Sequence, residues 1–262
     1  MTSDPTSIGS KIIVNQQVDS SNHGCVVVSQ PMFFPWYGFL EQVSLCDTFV
    51  FYDDVQFSKG SFTNRVQIKT INGTRWITVP TQNLHLGQRI NEVQINQQKN
   101  WQRSIHDSLK QAYSNSPFKE DMLSLVDQVF AFEVDSLSEL VMTSMQVLMD
   151  YLGLAKQVRF YKSSELGISG GSTQRVLDLC VHLKADSYLT GHGARHYLEH
   201  EFFESHGIPV DYINYGLNAY PQGHGVFTPY VSALDLVANC GKDGTKYIVG
   251  EAISWRKFTA KT

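Results

Sequence analysis

Cys25-Val26-Val27-Val28-Ser29 and Thr48-Phe49-Val50-Phe51-Tyr52 are two short runs of β-branched and aromatic residues. Short apolar runs bounded by turn residues read as strands buried on both faces. The first run stops at Gln30-Pro31 and the second at Asp53-Asp54, and an aromatic stretch reaching Cys46 fills the space between them. That stretch is long enough for one tight turn and one helix. Strand, crossover helix and strand at this spacing predict a parallel βαβ unit.

Working outward, Arg65 to Ile71 and Arg75 to Val79 alternate across Asn72-Gly73, a strong hairpin signal. Trp101 to about Ser114 and Phe118 to about Leu152 are rich in helix formers with apolar residues three to four apart, among them Leu137, Leu140, Val141, Met145, Leu148 and Met149. Strand and helix then alternate again, with strands at Val158 to Tyr161, Ser187 to Thr190 and Val210 to Tyr212, and helices at Thr173 to Leu183 and Ala194 to Ser205. The pattern predicts a three-layer, Rossmann-like α/β fold with a mostly parallel sheet, interrupted by a β-hairpin insertion and a helical segment. Residues 1–22 are mainly Ser, Thr, Asn, Asp and Gln and read as a weakly ordered arm, which leaves 23–262 as one α/β domain.

Composition excludes several classes. The chain has 262 residues, 42% hydrophobic and 18% charged, with a formal net charge of −4. A balance of that sign gives no reason to expect duplex nucleic acid or an anionic membrane as partner, and it disfavours extensive tRNA contact. No apolar run approaches the roughly 20 residues of a membrane span, and the N-terminus lacks the order of a signal peptide, so a cytoplasmic protein is expected. Cys25, Cys46, Cys180 and Cys240 are too far apart for a zinc or redox motif and are expected to be reduced thiols.

Four stretches carry candidate chemistry. In Gln30-Pro-Met-Phe-Phe-Pro-Trp-Tyr-Gly38, which lies at a predicted strand-to-helix junction, Phe34 and Trp36 offer stacking surfaces, Gln30 a polar contact and Gly38 close approach. The structural alternative is an aromatic plug between helix and sheet. Asp53-Asp54-Val-Gln56-Phe-Ser-Lys59, followed by Asn64-Arg65, offers a carboxylate base with Lys59 and Arg65 to hold an anion; the alternative is a polar turn. In Tyr188-Leu-Thr-Gly191-His192-Gly193-Ala-Arg-His-Tyr197, Gly191 and Gly193 leave N–H groups free for an anion, with His192 and Tyr197 beside them. His192, His196 and His200 are four apart, but no Glu follows His192 and no metal site is assigned. Finally, Tyr220 to Gly241 contains Gln222, His224 and Phe227 in a Gly- and Pro-rich loop, then a helix from Ser232 that carries Asp235. Here a ligand-binding loop and a helix tucked under the crevice remain equal alternatives.

The placement of the first stretch resembles the nucleotide-binding turn of adenylate-forming and nucleotidyl-transferring enzymes, of HUP-like fold, although the histidines of that signature are missing. The whole set of blocks, in order, resembles the WbqC-like family: Gln-Pro-x-Phe-Phe-Pro-Trp-x-Gly, Asp-x-Phe-Val with Asp-Asp-Val-Gln-Phe, Asn-Arg and Trp-Ile-Thr-Val-Pro, then Tyr188 to Gly191, Gln222, Phe227 and Ser232 to Asp235. The likeness runs from about Val26 to Gly241. It implies a role in O-antigen, lipopolysaccharide or related surface-polysaccharide synthesis, and transfer of glycine to a sugar.

Expected from this is an acyl or aminoacyl transferase, or a ligase, that forms an amide between a small amino acid and a sugar or nucleotide-linked sugar. Asp53 or Asp54 would take the proton, while Lys59, Arg65 or His192 would assist. The activated donor would come from ATP with Mg or from an aminoacyl-tRNA. Two alternatives stay open: a nucleotidyl or other nucleotide-sugar-modifying transferase, and a non-catalytic module that binds a nucleotide sugar.

Overall fold

The computed structural model describes residues 23–97 and 100–260; the arm read over residues 1–22 lies outside the described residues. In chain order the elements are β1 (Cys25–Ser29), α1 (Tyr37–Ser44), β2 (Thr48–Phe51), β3 (Arg65–Thr70), β4 (Gly73–Thr78), β5 (Thr81–Gln82) and β6 (Gln94–Ile95). They continue as α2 (Trp101–Ala112), α3 (Lys119–Phe130), α4 (Leu137–Tyr151), β7 (Arg159–Lys162), α5 (Ser172–His182) and β8 (Ser187–Thr190). The chain ends with α6 (His200–Ser205), β9 (Val210–Asn214), α7 (Ala233–Cys240), β10 (Glu251–Ser254) and α8 (Trp255–Ala260).

Among the described residues six strands form the main sheet, in the order β10-β9-β8-β1-β2-β7. All pair in parallel except β10, which runs antiparallel to β9 along Glu251↔Asn214 to Ser254↔Asp211. The fold is therefore α/β with a mostly parallel, Rossmann-like sheet. From β1 the chain moves to β2 and β7 on one side, then returns to β8 and β9 on the other. The topological switch point lies between β1 and β8, and there the loops leaving the two carboxyl ends diverge and open a crevice.

Strand pleating divides the core into two layers. Val27, Phe49, Phe51, Phe160, Leu189 and Ile213 pack on one face with residues of α1, α4 and α7. Val26, Val28, Val50, Tyr161, Tyr188 and Tyr212 pack on the other with α5, Phe203 and Phe258. This is why the strands read as unbroken apolar runs.

The long connection from β2 to β7 holds the insertion. Its β3–β4 hairpin is in register from Arg65↔Thr78 to Thr70↔Gly73, with Gly73 at φ 101°, a backbone that favours glycine in the tight turn. The helical reach from Phe118 to Leu152 is two helices, and Ser136 restarts the second by accepting the Glu139 N–H at 3.5 Å. The helix expected from Ala194 to Ser205 is also broken. His192–His196 is a 3-10 turn, and Thr173 Oγ1 donates to the Tyr197 carbonyl (3.0 Å) and accepts the Glu199 N–H (3.2 Å), which holds the chain extended before α6. The edge strand β10 and helix α8 had no clear signal in the sequence.

Candidate functional site

A cleft of about 1120 Å³ occupies the switch point, walled by the loops after β1, β2, β7 and β8. A volume of this order accommodates a nucleotide-sized ligand. Each wall follows from local chemistry.

In the loop after β1, Phe33, Phe34 and Tyr37 are fully buried, so three of the four aromatics plug the space beneath the helix. Phe34, expected to stack on a ligand, instead sits at φ 39°, with its N–H on Ser144 Oγ (3.0 Å) and its carbonyl accepting Ser232 Oγ–H (2.7 Å). Trp36 alone opens to the cleft, beside Gln30. Its ring packs on Tyr215 at 4.9 Å and Tyr230 at 5.6 Å. Gly38 is the seat of that ring rather than a ligand contact, since a Cβ there would lie 2.1 Å from it.

Asp53 and Asp54 part company at the end of β2. Asp53 turns inward, 2% exposed, and accepts hydrogen bonds from the Ser164 N–H (3.1 Å), Ser164 Oγ (2.8 Å) and Ser163 Oγ (3.1 Å). Burial raises its pKa against those bonds. Asp54 faces the cleft and takes Ser163 Oγ–H and a 2.5 Å ion pair from Arg175 of α5. Burial alone would raise Asp54, but the Arg175 and Ser163 hydrogen bonds and the Arg175 charge hold it below the ordinary carboxylate range. A carboxylate held in that state is a weak base. Of the two expected bases, Asp54 is thus held as a weak one by Arg175, while Asp53, though raised by burial, is not part of the cleft lining.

His192 is better placed. Its Nε2 lies 2.8 Å from the Ile213 carbonyl, which can only accept, so Nε2 carries the hydrogen and Nδ1 is the acceptor in the neutral ring. Tyr215 at 4.8 Å and Phe258 at 4.7 Å fix the ring plane. Gly191, Gly193 and Tyr197 line the same wall, and nothing lies within 4 Å of where a Gly193 Cβ would stand.

The remaining candidates lie elsewhere. Gln56 lines the cleft beside Arg89. Lys59 is exposed outside it, and Asn64 is buried, with Nδ2 on the Val79 carbonyl at 3.1 Å. Arg65 is on the hairpin, its guanidinium 4.2 Å above the Trp76 ring, and does not reach the cleft. Gln222 pins its own loop, accepting from Lys69 Nζ (2.7 Å) and the Thr228 N–H (3.0 Å). His224 reaches the Ala112 carbonyl at 3.0 Å, and Phe227 packs on Tyr220 at 5.3 Å. These three close the far side of the insertion. Asp235 is buried beneath them, near Tyr113, Tyr220 and Asn239. His200 stacks on Trp255 at 4.6 Å, and the four cysteines are free thiols.

Sequence reading missed Ser163, Ser164, Arg175, Arg89 and Tyr215, all of which line the cleft. One signal was available: Gly167-Ile-Ser-Gly-Gly-Ser172 is a glycine-rich junction between β7 and α5, the same pattern that marked Gly191. It too borders the cleft. A second carboxyl that reading passed over is Glu41 of α1. It is fully buried, accepts the Gly216 N–H at 3.1 Å, and has its other oxygen without a partner among the described residues. Burial pushes it up to about 7, against hydrogen bonds from the Gly216 and Val249 backbone.

The fold is that of a doubly wound α/β protein with a cleft at its switch point. The sequence profile of the WbqC-like protein family matches residues 30–247, and the chain belongs to that family. It is 31% identical over 226 residues to a Mycobacterium tuberculosis (strain ATCC 25618 / H37Rv) protein described as "Uncharacterized protein Rv1507c", covering 85% of this chain and 96% of that one. No solved structure matches. Among the described residues no helix is long and apolar enough to cross a membrane.

Proposed function

We propose that this protein is an amide-forming transferase or ligase. It passes glycine or another small amino acid to an amino group on a sugar or nucleotide-linked sugar, in the cytoplasmic assembly of O-antigen or a related surface polysaccharide. The observation that carries the reading is His192, held in one tautomer by the Ile213 carbonyl within the switch-point cleft. An amine that attacks an activated carbonyl must lose a proton as the C–N bond forms, and His192 Nδ1 is the acceptor available for it.

Other features support the same reading. Trp36 and Tyr215 form an aromatic wall suited to a sugar or nucleobase ring. The Asp54–Arg175 pair and the hydroxyls of Ser163 and Ser164 supply oriented polar contacts on the opposite side. In this reading the sheet order is used in a HUP-like, nucleotidyltransferase-like way, with a nucleotide portion across β1 and β8. Either ATP with Mg or an aminoacyl-tRNA would provide the activated acyl group.

The test is mass spectrometry of a panel of nucleotide-linked amino sugars incubated with the protein, glycine, ATP and Mg, or with glycyl-tRNA. A product heavier by one glycyl residue supports the reading. Tight binding of a nucleotide sugar with no product under any donor condition assigns the cleft to a binding module instead.

A further inference from the structure

The proposed reaction leaves its donor open, and the insertion between β2 and β7 bears on it. Residues 55–91 contain five Lys or Arg and no Asp or Glu, in a chain whose formal net charge is −4; Lys69 is buried and held by Gln222 and the Val226 carbonyl, which leaves Lys59, Arg65, Arg75 and Arg89 at or near the surface. Charge is thus segregated onto this segment, and local potential rather than net charge decides what docks there.

The segment combines that charge with exposed rings. Phe62 and Trp76 are each 37% exposed and pack on one another at 5.6 Å, with the Arg65 guanidinium 4.2 Å from the Trp76 ring centre. Gly60 abuts that guanidinium, and the exposed Lys59 precedes it in the chain. The Phe57 N–H bonds the Gln88 carbonyl at 2.8 Å, and the neighbouring Gln56 and Arg89 line the cleft. The Phe33 N–H meets the Phe62 carbonyl at 3.0 Å, so the rings sit beside the loop that carries Trp36. Cations and exposed aromatics therefore run together from the hairpin to the cleft.

Stacking rings interleaved with cations are what a single-stranded nucleic acid uses, because every base has a face to stack and every linkage a phosphate to neutralise. We propose that residues 55–91 dock the single-stranded acceptor end of an aminoacyl-RNA, which makes that RNA the amino acid donor. The inference rests on the amide-forming reading of the cleft. The chemistry balances without ATP. The sugar amine attacks the aminoacyl ester carbonyl, the C–N bond forms, the ester C–O bond breaks, and the amine proton passes through His192 to the departing ribose hydroxyl.

The test is fluorescence anisotropy of the full chain with a labelled, uncharged single-stranded RNA ending in CCA. The expected result is binding that weakens steeply with salt and falls about tenfold in Trp76→Ala and in Arg65→Ala. Trp76→Phe should restore most of it. Lys246→Ala, which removes an exposed cation outside the segment, should change it less than about twofold. Absence of RNA binding, or equal binding by Trp76→Ala and wild type, overturns the proposal, as does equally tight binding of dextran sulfate that survives Trp76→Ala. The two readings fail separately. Glycyl transfer from ATP and free glycine with no RNA binding removes the RNA donor and leaves the amide reaction, whereas RNA binding by the strip without transfer from glycyl-RNA to any sugar removes the reaction.

Discussion

Arg175 of α5 and Asp54 at the end of β2 form a 2.5 Å ion pair in which both side chains are largely withdrawn from water, at 6% and 12% exposure. Arg175 also donates to the Ile168 carbonyl at 3.0 Å and lies over Tyr52 at 5.0 Å. The pair fastens two walls of the cleft to each other. Removing one partner leaves the other charge buried, a change that costs about 3 to 5 kcal/mol in comparable pairs.

Asp54→Asn is therefore expected to lower the melting temperature markedly, read by calorimetry at neutral pH. The sign of the pH dependence follows from the depressed carboxyl. Its stabilisation is present above the ordinary Asp value and is lost as pH falls through the depressed value. The variant should consequently lack that part of the wild-type acid destabilisation. An Asp54→Asn protein as stable as wild type would show that the pair does not hold the walls.

Glu41 has the opposite sign. Its folded value near 7 stands above the ordinary glutamate value of 4.5, so its favourable contribution is complete below about 4.5 and is lost as pH rises to 7 and beyond. Each unit is worth about 1.4 kcal/mol. Glu41→Gln should melt at higher temperature than wild type at pH 8 and show a flatter stability profile between pH 4.5 and 7. Urea titrations across that range check it. An unchanged slope would mean that Glu41 is already ionised within the fold.

Gly38→Ala probes the aromatic wall. A methyl group at this position meets the Trp36 ring at 2.1 Å, so the ring must leave its place against Tyr215. Affinity for a UDP-linked amino sugar, measured by calorimetric titration, should fall roughly tenfold, as it should in Trp36→Ala. Affinity unaltered in both variants would remove the wall from the binding site.

Much of this architecture was legible in the sequence for physical reasons. Val26, Val27 and Val28 are buried on alternate faces of a parallel strand, so their run shows no alternation, and Asn72-Gly73 is the turn its backbone demands. The loops at Gln30, Asp53 and Gly191 were found because each ends a strand and starts a helix or turn. Side-chain direction was not legible. Asp53 is drawn inward by Ser163 and Ser164, some 110 residues away, while its neighbour is claimed by Arg175. Phe34 and Trp36 are equally aromatic, and only the packing around Ser144 and Ser232 decides which one is buried. Arg65 follows soon after the crevice edge in sequence, as Gln56 does, yet the hairpin carries it away onto Trp76.

The most direct measurement concerns His192. Wild type and His192→Asn should be compared for the rate at which a glycyl group appears on an amino-sugar nucleotide, with melting curves recorded on the same samples. His192→Asn should lose about 10² to 10⁴ in rate, the usual range for a general base, while its melting temperature stays within a few degrees. Full activity in a folded His192→Asn protein would contradict the assignment of His192 as the proton acceptor, and with it the mechanism drawn for the cleft.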